Sequence, residues 1–448
     1  MPTRRDFLAG AAAGAGGAQP RRRGASAIEL RTHEWFGDRL ERFEFPPGWR
    51  ISVQHMKGHL ARPLTPDQIR QAVESPVGTR PLREIAAGKK TVTIAFDDLT
   101  RPTPTYEIVP HVLAELRAAG IRDENILFIA AYGCHYQMNA LEVAKKLGEE
   151  TVRGHPWINH NIWENLVDLG TTQAGNQILV NTYYVKADVK ITLSGAKAHW
   201  LAGYGGGPKL ILPGVCGMKT IRYMHETIKR APRPMMKDGV QILRLWENEQ
   251  RQDIIETARK VGVDFSVQTV YNQDRRPVHV VAGDIVTAHH QAARYAVNHL
   301  WTDYARDADV VVVNAYPKGG QLHEHLSWGA RGLKDGGSVV FINQHPMGLF
   351  AWHYLEEARL NRGGSYFAQR DARKPRLPQA RQVLLYSQYL QRRELDGPYL
   401  PPEAAGLRSW SEVVERLRRE HKGDVHVAVY PYAGMQHGPA VLDLPDNV

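Results

Sequence analysis

Short runs of β-branched and other apolar residues alternate along this chain with segments whose apolar positions recur at helical spacing. Few folds satisfy that alternation. Val92 to Phe96 is one such run and ends in Asp97-Asp98, after which Tyr106 to Ala119 places Ile108, Val109, Val112, Leu113 and Leu116 on one helix face. Asn125 to Ala131 predicts a second strand, Asn139 to Glu150 a second helix and Val185 to Leu193 a third strand. The pattern resumes with Asp309 to Asn314, Ser338 to Ile342, Val383 to Tyr386 and Val425 to Tyr430 as strands. Such a rhythm predicts an α/β fold of two domains with mainly parallel sheets, helices covering their faces. The helical stretch Ile285 to His299 divides the two sets, so the domains are expected at 31–285 and 300–448, with the active site in the cleft between them.

Composition narrows the partners. Of the 448 residues 43% are hydrophobic and 23% charged, which suits folded domains and excludes a disordered chain. The net charge is +10, but five arginines and one aspartate fall in the first 27 residues, leaving about +6 for the rest. Beyond residue 30 no tract interleaves clustered Lys/Arg with aromatics, so no nucleic-acid partner is expected. A small anionic ligand fits the charge better. Only two cysteines, Cys134 and Cys216, are present, so the cores, not a disulfide framework, must hold the fold; two buried thiols are expected.

The first 27 residues read as an address. Thr3-Arg4-Arg5-Asp6-Phe7-Leu8 precedes a mildly apolar Ala/Gly-rich run, and Arg21-Arg22-Arg23 precedes Ala25-Ser26-Ala27, the pattern of a twin-arginine signal with a small-residue cleavage site. Phe7 to Ala18 is too short to span a bilayer, which takes roughly 20 residues, so no stable membrane insertion is expected. The expected route is export of a folded protein through the twin-arginine machinery to the periplasm; a disordered basic tail is the plainer alternative.

In open α/β sheets ligands sit beyond the carboxyl ends of strands. Three loops there carry chemistry. In Asp97-Asp98-Leu99-Thr100-Arg101-Pro102-Thr103-Pro104 the prolines stiffen the turn and Arg101 could grip a carboxylate, although Asp98 and Arg101 could equally pair with each other. Tyr132-Gly133-Cys134-His135 offers His135 as an acid or base, or as a structural histidine. The third loop runs from His199 to Gly214. Its glycines 203, 205, 206 and 207 leave backbone amides able to nest phosphate, Lys209 follows without a Walker pattern, and His225 lies shortly beyond. A flexible turn with a solvated lysine is the plainer reading there, but it does not account for two histidines and a lysine framing the turn.

These three loops, in this order, resemble the lactate racemase family, the nickel-pincer enzymes. The resemblance rests on Asp98 through Pro104, Gly133-Cys134-His135, His199 through Lys209, Leu212-Pro213-Gly214 and His225, with weaker agreement at Val281-Ala282-Gly283-Asp284. It implies a nickel-pincer nucleotide tethered to Lys209, made by dedicated cofactor-synthesis proteins, with His225 completing the nickel coordination. Gly205, Gly206 and Gly207 would lie against the cofactor, His135 and His199 would be the two catalytic histidines, and Asp98 and Arg101 would belong to the substrate region. The implied activity is racemisation or epimerisation of a 2-hydroxy acid by hydride transfer.

The sequence also departs from the family. A Gln-x-x-Lys pair that helps contact substrate after a Tyr-Pro loop has no evident counterpart following Tyr316-Pro317. His323, His325 and Trp328 stand there instead, which points to a different or larger 2-hydroxy acid, or merely to a polar helix face. His155 and His160 are accounted for by turn and core packing. The competing function is an exported two-domain carboxylate-binding protein, which would need Arg101 but has no use for Lys209 together with His225; a relative that oxidises or eliminates is a third possibility.

Overall fold

The computed structural model describes residues 27–199, 201–232, 235–236, 239–319, 326–346, 377–391, 394–395 and 400–445. Residues 1–26, which hold nearly all of the expected export signal, and Trp200, His323 and His325 lie outside the described residues. Two six-stranded sheets dominate. The first runs, in spatial order, Pro277–Gly283, Phe265–Tyr271, Val189–Gly195, Val92–Phe96, Ile126–Ala130 and Trp157–Asn159; all neighbours are parallel except the Pro277–Gly283 edge. The second runs Ala405–Leu407, Ala380–Tyr386, Leu333–Ile342, Ala308–Asn314, His426–Tyr430 and Arg50–Val53, parallel throughout.

Burial on both faces explains why these strands read as continuous apolar runs. Val92, Ile94 and Phe96 pack on one side of the first sheet with Ile108, Val109, Val112 and Leu116 of the helix Thr105–Ala118. Ala95 and Ile129 face the other side, toward Ile211, Leu212, Met218 and Ile221. The second sheet divides likewise, Val311 and Val313 to one core and Val310 and Val312 to the other. Each buried Val contributes roughly 1.5–3 kcal/mol of transfer free energy, so alternate faces of a single strand anchor two helical layers.

Local chemistry moves several boundaries. Gly148, at φ 86°, splits the segment 139–150 into helices Ala140–Leu147 and Glu149–Gly154, the first held by a capping box between Asn139 and Glu142. Asn181 caps a short helix Thr182–Lys186, so the strand expected from Val185 begins at Val189. The hairpin Phe265–Tyr271 with Pro277–Gly283 had no sequence counterpart in the expected pattern.

The partition of the chain also differs from a simple split near residue 300. Arg50–Val53 is the edge strand of the second sheet, and Leu30, Phe43, Phe45 and Trp49 pack in that sheet's core. In return, Ala440–Leu442 pairs with Gln241–Leu243. Both cysteines are buried thiols outside any disulfide. Among the described residues no helix is long and apolar enough to cross a membrane.

Candidate active site

Strand ends of both sheets deliver the singled-out residues to one place. Asp98 and Arg101 follow Val92–Phe96, His135 follows Ile126–Ala130, and His199 follows Val189–Gly195. Together with Gly205, Gly206, Lys209 and His225 they line one cavity of about 80 Å³. Lys318, from the loop after Ala308–Asn314 in the second sheet, lines it as well. Gly207 does not.

His135 is oriented by Asp98. Its Nδ1 lies 2.9 Å from Asp98 Oδ2, while Asp98 Oδ1 accepts the Thr100 N–H at 2.7 Å. Burial alone would raise the Asp98 carboxyl, but His135, Arg101 and Thr100 together hold it well below the usual carboxylate range. An ionised carboxylate only accepts, so His135 Nδ1 must carry the proton and Nε2 the lone pair. Burial, with Arg101 and Lys318 nearby, lowers the imidazole below its ordinary value despite Asp98, so His135 is a neutral base at neutral pH.

His199 is set in the opposite sense. Its Nδ1 accepts the backbone N–H groups of Leu201 and Ala202, each at 3.2 Å, which puts the ring proton on Nε2. The cavity therefore meets one imidazole with a lone pair on Nε2 and a second with a proton on Nε2. His225 resembles the first: its Nδ1–H donates to Ile221 O at 2.8 Å one turn back on the helix Met218–Glu226, leaving an Nε2 lone pair.

Lys146 anchors the first loop. Fully buried, its ammonium donates to Asp97 Oδ1 at 2.6 Å, Thr103 O at 3.0 Å and Arg101 O at 3.1 Å; Asp97 also accepts from Thr103 Oγ1 at 2.6 Å. Lys146→Met is expected to leave Asp97 a buried, uncompensated carboxylate and to destabilise the protein by about 3–5 kcal/mol. A denaturant melt checks this; a midpoint within error of wild type would contradict it.

The glycine turn serves mainly to shape the chain. Gly205 N–H donates to Lys197 O at 2.7 Å, and Gly207 N–H is shared between Ser194 Oγ at 3.0 Å and Gln268 Oε1 at 2.9 Å, so these amides are engaged by protein acceptors instead of lying bare for a phosphate. Gly206, at φ 81°, leaves no room for a side chain: a Cβ there would sit 2.5 Å from Gly195 O. The turn thereby presses against the end of Val189–Gly195 and carries Lys209 into the cavity.

Two further histidines are structural. His160 bonds Cys216 O and Asn181, and burial drops it to about 4; His155 bonds Thr151 O. Trp328 is buried in the second core against Tyr304 and Tyr430. Lys318 carried no signal in its local sequence, since only the packing of the two sheets brings it to His135. The family pattern sought a lysine later in that loop.

Residues 36–237 match the lactate racemase N-terminal domain. The chain is 30% identical over 283 residues to the lactate racemase of Thermoanaerobacterium thermosaccharolyticum, covering 61% of this chain and 64% of that protein. It is 27% identical over 289 residues to the lactate racemase of Lactiplantibacillus plantarum, covering 62% and 65%. The matches thus span about three fifths of the chain and slightly less than two thirds of each relative. In fold it resembles the lactate racemase apoprotein of T. thermosaccharolyticum (TM-score 0.63, 20% identity, 92% of this chain and all of that one) and a Thermotoga maritima protein (TM-score 0.57, 16% identity, 86% and all). Residues 36–237 thus match a lactate racemase N-terminal domain, and the chain is similar to lactate racemases in sequence over part of its length and in overall fold.

Proposed function

We propose that the protein is a racemase or epimerase of a 2-hydroxy acid, working with a nickel-pincer nucleotide tethered to Lys209 and coordinated by His225. The observation that carries this reading is the convergence of Lys209, His225, His135, His199, Asp98 and Arg101 on one cavity. The residues fit the cofactor in two respects. His225 offers Nε2 with its other ring nitrogen tied to a backbone carbonyl, the usual support of a metal-bound imidazole. Among the described residues no group of three His, Cys, Asp or Glu could hold a metal, so a nickel at His225 needs ligands from a cofactor.

When bound, the cofactor supplies a hydride acceptor and donor for C2 of the substrate. The chain does the rest. Arg101 and Lys318, two of the cations that line the cavity, would face a substrate carboxylate. His135 Nε2 takes the hydroxyl proton, and the Asp98 carboxylate stabilises the imidazolium that results. The Nε2–H of His199 supports the C2 oxygen by hydrogen bonding. For the opposite enantiomer the imidazoles exchange roles, which requires the His199 Nε2 proton to move first. A solute-binding protein would need none of this proton placement. Export through the twin-arginine route, by the Arg4-Arg5 signal, belongs to the same proposal, since a tethered cofactor made in the cytoplasm must cross with a folded chain.

The test is protein purified from its own host. Expected are near-stoichiometric nickel, an intact mass above that of the mature chain by one cofactor, and interconversion of a 2-hydroxy acid's enantiomers that His135→Ala abolishes with nickel retained. An unmodified mass without nickel, and no inversion across a panel of acids, would refute the reading.

A further inference from the structure

Past His199 lies a second, larger space. A chamber of about 440 Å³ shares Lys197, Ala198 and His199 with the cavity above and is walled on its far side by Tyr304, Trp328, Arg331 and His437. None of Lys209, His225, Gly205 or Gly206 lines it, so it extends away from the tethering lysine. Whatever occupies it touches the imidazole that also borders the reacting carbon's cavity.

We propose that this chamber receives the part of the substrate beyond C2, and that this part carries a second acidic group held by Arg331. The inference rests on the racemase reading and names its substrate class: 2-hydroxy diacids of four or five carbons. The walls select for charge. Arg331 has no ion pair among the described residues; its guanidinium lies 4.8 Å from the Tyr304 ring, which stands edge-on to Trp328. An aromatic shelf of this kind fixes the plane of an arginine and leaves its N–H edge for a carboxylate. Among the described lining residues none is acidic. Lys197, reaching Gly434 O at 2.5 Å, adds positive charge to the shared wall. Arg244 adds little, since Glu247 and Asp443 neutralise it from outside the chamber. Lactate, with a methyl group beyond C2, would leave the chamber to water and Arg331 without a counter-ion.

Two measurements on the full chain decide it. In the first, cofactor-loaded protein is given lactate, malate and 2-hydroxyglutarate, and inversion is followed by chiral chromatography. The diacids should show kcat/KM at least about tenfold above lactate, and Arg331→Met should reduce that preference at least about tenfold, with Arg331→Lys restoring part of it. Lactate preferred, or a preference unmoved in Arg331→Met, overturns the inference and leaves the racemase reading standing. In the second, the cofactor-free chain is titrated calorimetrically with malate and with lactate. Malate should bind more tightly, and Arg331→Met should remove the difference. Equal binding overturns the inference, as does malate binding that disappears once the nucleotide is loaded, because the chamber would then hold the cofactor. If loaded protein inverts none of the acids, the racemase reading is what fails, and the calorimetric result still decides Arg331.

Discussion

Asp98→Asn is expected to lower turnover by about 10³–10⁴-fold while leaving the fold and the metal content unchanged, the scale seen where an amide replaces the carboxylate that orients a catalytic imidazole. The reason is proton placement. Asp98 accepts from His135 Nδ1 at 2.9 Å and from the Thr100 N–H at 2.7 Å, and both bonds need an acceptor. An asparagine fills the same volume but can turn its NH₂ toward His135, which makes Nδ1 the acceptor and moves the ring proton to Nε2, where the base is needed. His135 would then match His199, which already carries its proton on Nε2. Two donors cannot remove a hydroxyl proton.

The pH profile follows from the same contacts. Burial, Arg101 and Lys318 lower His135 below 6.5. A base works above its pKa, so wild-type activity should persist below pH 6.5 and fall only as the pH drops through the lowered value. Asp98 is the group that raises His135, so in Asp98→Asn the residual activity should lose its acid limb to still lower pH. A variant within tenfold of wild type, or an acid limb shifted upward, would contradict the assignment of Asp98 as the orienting group.

Much of this site was legible in sequence because the family's residues follow strand ends, and strand ends are set by local composition. Val92–Phe96 is apolar at every position and stops where Asp97 and Asp98 begin, so the loop's place beyond the sheet could be read directly. His135 and His199 follow the same rule. What could not be read depends on distant packing. Arg50–Val53 alternates polar and apolar residues over only four positions, too short a stretch to stand out, yet it completes the second sheet because His426–Tyr430 presents an edge to it. Lys318 reaches His135 only through the meeting of the two sheets. The engaged amides of Gly205 and Gly207 depend on Ser194 and Gln268, and Gln268 lies in a strand that the helical and strand periodicities did not single out.

His225→Ala is expected to remove nickel from the protein without unfolding it. The side chain is only half-buried near the end of Met218–Glu226, so its loss opens no core cavity and the melting temperature should hold close to wild type. The rest of that helix remains anchored by Met218, Ile221 and Met224 in the core. Binding is another matter. Ile221 O fixes the Nδ1–H of His225 and so aims an unprotonated Nε2 outward, and no cluster of three ligating side chains exists among the described residues to take over. Removing even a supporting contact of a metal-bound histidine commonly costs about 10–100-fold in affinity, and removing the histidine itself should exceed that. The intact mass separates the two attachments: His225→Ala should keep the cofactor's added mass on Lys209 while losing metal, whereas Lys209→Ala should lose both. Ile221 offers no side-chain route to the same result, since its contribution is a carbonyl. Stoichiometric nickel in purified His225→Ala, measured by mass spectrometry of the metal, would show that the ion is held elsewhere and would remove the link between this helix and the chemistry at His135.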